Sequence, residues 1–133
     1  MMDRYPDSGR IVLKLDDDTL EVFAERGEFR GRAAADHPLL ANNLSAFARR
    51  LTQFPLPPTE VGFTGSGSID LSIRQTNLLG HIEFRVTLGR FFPEASVLII
   101  LPLDYETVAR LARDLEKLVE NSSGEIVVVG NPS

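Results

Sequence analysis

The spacing of apolar residues switches repeatedly along the chain, and this limits the fold more than any other feature. Ile11, Leu13 and Leu15, then Leu20, Val22 and Ala24, recur at every second position, the period of a strand with one buried face. From Leu44 the spacing lengthens: Leu44, Phe47, Ala48, Leu51 and Phe54 form one stripe of an amphipathic helix. Pro55, Pro57 and Pro58 end that helix, and alternation resumes. It gives way again to helical spacing at Val108, Leu111, Ala112, Leu115 and Leu118. Strands joined by tight turns and interrupted by helices predict an α+β chain with antiparallel pairing.

The turns sharpen this reading. Asp16-Asp17-Asp18-Thr19 and Arg26-Gly27 are turn sequences, so the first three strands, the last over Glu28 to Ala35, make a meander. Asn42 or Asn43 is expected to cap the first helix. Strands follow over Glu60 to Thr64, Ser68 to Gln75, Gly80 to Leu88 and Glu94 to Leu101. With Thr76 to Leu79 as the connecting loop, Gln75 faces Gly80. Ile73 then meets Ile82, Leu71 meets Phe84 and Ile69 meets Val86, while Arg74 meets His81, Ser72 meets Glu83 and Asp70 meets Arg85. Both faces sort cleanly in this register, and a one-residue slip destroys the sorting.

Ala95 to Leu101 is apolar on both sides, which suits a central strand covered on both faces, or one whose outer face meets a helix or a second subunit. Pro102 is expected to end it, and Asp104 to cap the second helix. Ile126 to Val129 offers a final edge strand. The expected architecture is therefore a twisted antiparallel sheet of seven or eight strands with two helices on one face. A single domain over residues 10–129 is expected, with tails at 1–9 and 130–133, since 133 residues suit one core.

Composition narrows the function classes. Cys 0 excludes disulfides and thiol chemistry. A net charge of −5 and no basic cluster longer than Arg49-Arg50 argue against nucleic acid as a partner. Met1 to Asp7 carries early acids and no apolar run, and Ala95 to Leu103 is too short to span a bilayer, so a cytoplasmic protein without a membrane partner is expected.

No catalytic or metal constellation emerges. His37, in Asp36-His37-Pro38, has no second ligand at helical or hairpin spacing. His81, set opposite Arg74, has a cation beside it, which opposes metal binding. Asp16-Asp17-Asp18 lacks the spaced ligands of a calcium loop and reads as a turn. Gly65-Ser66-Gly67-Ser68 opens a strand and has no lysine, so it lacks the geometry of a phosphate loop. No cofactor is expected. Two surfaces remain as candidates for binding a partner. One is the outer hairpin face with Asp70, Arg74, His81, Glu83 and Arg85. The other is the loop Arg90-Phe91-Phe92, whose arginine and adjacent aromatics have the composition of a hot spot, although the preferred reading of that loop is that one phenylalanine plugs the open end of the core.

Asn43-Leu44-Ser45-Ala46-Phe47-Ala48-Arg49-Arg50-Leu51, Ile69 to Arg74, Gly80 to Leu88 and Asp104-Tyr105-Glu106-Thr107-Val108 onward to Leu118 stand in the order strands, helix, strands, helix. Over residues 10–120 this pattern resembles the small bacterial immunity-type proteins of the wall-associated-toxin immunity group and related domains of unknown function. The resemblance implies a cytoplasmic, non-catalytic protein that neutralises a polymorphic toxin by direct binding. It carries over no contact residues. The rival expectations are a small dimeric chaperone or adaptor, with Val97 to Leu101 or the second helix at a homodimer seam, and an enzyme or small-ligand domain built on a curved sheet.

Overall fold

A computed structural model describes residues 9–36, 39–52, 61–65, 69–75, 81–89 and 96–130. The strands β1 (Arg10–Asp16), β2 (Thr19–Arg26) and β3 (Phe29–Asp36) form the expected meander. Helix α1 (Leu40–Leu51) follows, then β4 (Val61–Gly65), β5 (Ile69–Gln75), β6 (Ile82–Leu88) and β7 (Val97–Leu103). Helix α2 (Tyr105–Asn121) leads into β8 (Ser123–Val129).

The strands divide into two four-stranded antiparallel sheets, β3-β2-β1-β8 and β4-β5-β6-β7, which corrects the expectation of one continuous sheet. The break has a simple cause. Residues after β3 turn into α1 instead of a hairpin, so β4 never pairs with the meander. The last strand, β8, returns across α2 to pair with β1.

Each sheet turns its apolar face inward onto a single core. Ile11, Leu13, Leu15, Leu20, Val22 and Ala24 of the first sheet meet Ile69, Leu71, Ile73, Phe84, Val86 and Leu101 of the second in one buried cluster. Fully burying a Leu, Ile or Phe side chain contributes roughly 1.5–3 kcal/mol relative to exposure. The inward residues are therefore the main driving force for the sheets to pair.

The two sheets meet differently at their two seams. Strands β2 and β3 lie against β7, α1 lies against β4, and α2 lies against β8 while packing on α1. The helices thus bridge an edge of one sheet to an edge of the other, and do not share one face of a single sheet. At the opposite seam β3 crosses β7 closely. A Cβ on Gly31 would overlap Cγ1 of Val97 there, so a side chain at position 31 would hold the sheets apart.

The helix stripes match their spacing. Leu44, Phe47, Ala48 and Leu51 are buried in α1, and Val108, Leu111, Ala112, Leu115 and Leu118 in α2. Phe54 lies outside the described residues. Asp104 caps α2 as expected, its Oδ1 accepting from the Thr107 amide at 2.8 Å. The cap expected of Asn42 or Asn43 is not made: α1 begins earlier, at Leu40, and its N-cap residue Leu39 has no side-chain cap bond. Leu40 is itself buried, so core packing draws the first turn forward past the asparagines.

Strand β7 departs furthest from expectation. It is an edge strand, not a central one. Pro102 does not end it, because β7 continues to Leu103 and Pro102 stands opposite Glu83. An edge tolerates proline, since the missing N–H can face away from the ladder.

Candidate functional site

The outer face of the second sheet gathers four of the eight residues singled out for binding. Side chains alternate along each strand, so burying Ile69, Leu71 and Ile73 turns Asp70, Ser72 and Arg74 outward. The same parity in β6 turns out Glu83, Arg85 and Thr87. The hairpin thus presents Asp70, Arg74, Glu83 and Arg85 on one face, as the sequence implies.

Its register differs from expectation by two residues. Gln75 pairs with Ile82, Ile73 with Phe84, Leu71 with Val86 and Ile69 with Leu88. Arg74 therefore stands opposite Glu83, Ser72 opposite Arg85 and Asp70 opposite Thr87. A shift of two preserves which face every side chain occupies, so apolar sorting cannot distinguish the registers. The structure favours the one that puts Phe84 against Ile73 and leaves His81 beyond the ladder.

This register changes the electrostatics. The Arg74 guanidinium lies 3.7 Å from the Glu83 carboxylate, an exposed cross-strand pair. Asp70 accepts a hydrogen bond of 2.8 Å from the Thr64 hydroxyl of β4. His81 is exposed just before β6 and is not the cross-strand partner of Arg74. Arg85 is half-buried and has no hydrogen-bond or ion-pair partner among the described residues. It borders a hollow of about 470 Å3 lined by Gly62, Thr64, Asp70, Ser72 and Thr87. Gly62 deepens that hollow simply by having no side chain.

The neighbouring strand adds apolar surface that the sequence reading did not assign to this site. Ile100 stands opposite Arg85 and Leu98 opposite Thr87, on the same outer face. Leu98 is 48% exposed. The row from Ser72 through Arg85 to Ile100 thus runs from polar to charged to apolar. The β6–β7 register would have revealed these residues, but the apolar run in β7 hides which of its two faces is outward.

Arg90, Phe91 and Phe92 lie outside the described residues, as does His37. The β1–β2 turn supports a structural reading of its acids, since Asp17 adopts a left-handed φ of 54° and its amide donates to the Ser122 carbonyl at 2.8 Å. Among the described residues no cluster of three or more His, Asp or Glu side chains could hold a metal ion. Nor is any described helix long and apolar enough to cross a membrane.

The fold and site thus define an α+β domain of two antiparallel sheets with a mixed polar and apolar outer face. Compared with known protein families, curated proteins and solved structures, the chain matches none.

Proposed function

We propose that this protein is a non-catalytic binding module that engages a protein partner through the outer face of its second sheet. The observation that carries this reading is Arg85. Its guanidinium has no partner among the described residues, borders a polar hollow, and stands beside the apolar Ile100 and Leu98. A charged fork beside apolar surface, with hydroxyls nearby, suits a protein interface, where arginine and apolar anchors carry much of the binding energy. In its most specific form, the partner is a toxin domain that the protein neutralises by direct contact in the cytoplasm. The strand and helix order supports that form.

The test compares the tagged protein with its Arg74→Ala/Arg85→Ala double variant in affinity capture from the native host, read by mass spectrometry. The expected result is a stoichiometric partner, the C-terminal part of a large secreted protein, held by the parent and lost by the variant. Equal melting temperatures for both proteins would tie the loss to the surface. Retention of the partner by the variant would rule out this face.

A dimeric adaptor is the second reading, favoured by the exposure of Leu98 on an edge strand. It requires a solution mass that rises with concentration, and a constant monomer mass would end it.

A further inference from the structure

The edge of β7 that faces away from β6 offers a second mode of recognition. In an antiparallel ladder the N–H and C=O of one residue point to the same side, and successive residues alternate sides. Pro102 has no N–H to give β6. Ile100, two positions earlier, accepts a hydrogen bond at its carbonyl from Arg26 Nη1 at 2.6 Å. The proline sets the parity, and an Ile100 carbonyl open to Arg26 agrees with it. The backbone groups of Leu98 and Ile100 face outward, and those of Ile99 and Leu101 pair with β6.

Among the described residues no strand pairs with that outward edge. Arg26, Gly27, Glu28 and Phe29 of the β2–β3 turn stand across from Leu98, Ile99 and Ile100, and a hollow of about 550 Å3 lies between them. This is within the size range of ligand pockets. Among the described residues no backbone hydrogen bond joins β7 to Arg26, Glu28 or Phe29. The hollow is bracketed by two exposed apolar side chains, Phe29 at 69% and Leu98 at 48%. Unpaired backbone beside an apolar hollow is the arrangement that recognises an extended strand, with main-chain bonds for affinity and a pocket for a side chain.

We infer that β7 binds an extended peptide segment of a partner protein by strand addition, and that the segment carries an apolar residue beside a carboxylate. The apolar residue enters the hollow between Phe29 and Leu98. The carboxylate draws Arg26 away from Ile100, because a charge-assisted bond to an anion is stronger than one to a neutral carbonyl. The Ile100 carbonyl is thereby released to accept a backbone N–H of the segment. Arg26 thus covers the edge until an acidic segment arrives.

A second copy of this chain is a poorer occupant. Two-fold pairing of β7 with itself about Ile100 would bring two Arg26 guanidinium groups together and set Pro102 opposite Leu98, where no N–H is available.

This inference rests on the protein-binding reading and shares Leu98 and Ile100 with it, but Arg74 and Arg85, which carry the outer-face reading, do not line this hollow. The two can therefore fail separately. The experiment is a display selection of a randomised seven-residue peptide library against the full chain, followed by affinity measurement on variants. Enriched peptides should alternate apolar residues and include an acid. They should slow hydrogen exchange at the amides of Leu98 and Ile100. Binding should weaken by roughly tenfold or more in Leu98→Lys, a loss of about 1.4 kcal/mol or more, and persist in Arg74→Ala/Arg85→Ala. In Arg26→Ala the advantage of the acid should vanish while acid-free peptides bind at least as well as before.

Failure to enrich any peptide would overturn strand addition and leave the outer-face reading standing. So would enriched peptides that leave those amides unprotected, or a β7-mediated dimer seen by solution mass.

Discussion

Gly31 of β3 and Val97 of β7 meet so closely that the missing side chain of the first makes room for the second. This contact lies at the seam where β3 of one sheet packs on β7 of the other. Gly31→Ala should therefore force a shift of Val97 or of the strands, and overpacking of this kind costs about 1–3 kcal/mol. The expected outcome is a lower urea midpoint with an unchanged slope. Adding Val97→Ala should recover part of the loss, and strict additivity of the two changes would contradict the contact.

The C-terminus of α2 stores backbone strain that a single substitution relieves. Ser122 caps the helix in the left-handed region, at φ 57° and ψ 16°. Side chains there are disfavoured, and glycine is the usual residue at such an end. Ser122→Gly should raise stability by about 0.5–1 kcal/mol, seen as a higher melting temperature. A lower melting temperature would mean that the serine side chain contributes something its backbone position does not show.

At the other end of α2, Asp104 satisfies the Thr107 amide. Replacing a capping aspartate by alanine costs about 1 kcal/mol. Asp104→Ala should show that loss in equilibrium unfolding, and Asp104→Asn should retain most of the stability because its side-chain oxygen still accepts. Equal losses in both variants would assign the effect to charge instead of the cap.

Much of this architecture is legible in the sequence because it depends on parity. The inward faces of β1, β2, β5 and β6 and the buried stripe of α2 follow from apolar spacing alone. What spacing cannot supply is the relation between elements of equal parity. Nothing in Ala35 or Val61 says that β3 and β4 belong to different sheets; packing against α1 decides that. Val97 to Leu103 is apolar at nearly every position, so its edge location could not be read from alternation. The candidate site follows the same division. Asp70, Arg74, Glu83 and Arg85 were placed on one face by alternation, whereas Leu98 and Ile100 join them only through the pairing of β6 with β7.

The β5–β6 register can be tested directly, since the chain has Cys 0 and any introduced pair is unambiguous. Arg74 stands opposite Glu83 in the structure. Opposed residues on adjacent antiparallel strands have Cα atoms about 4.5–5.5 Å apart, within the range a disulfide spans. Arg74→Cys with Glu83→Cys should cross-link under mild oxidation, giving a band of faster mobility without reducing agent. Arg74→Cys with His81→Cys should cross-link far more slowly. The cross-link should cost little stability, because the exposed ion pair it replaces contributes only about 0–1 kcal/mol. Preferential oxidation of the pair at 74 and 81 would restore the shifted register. It would then return His81 to a place opposite Arg74 and set Arg85 opposite Asp70, removing the unpaired guanidinium on which the outer-face reading depends.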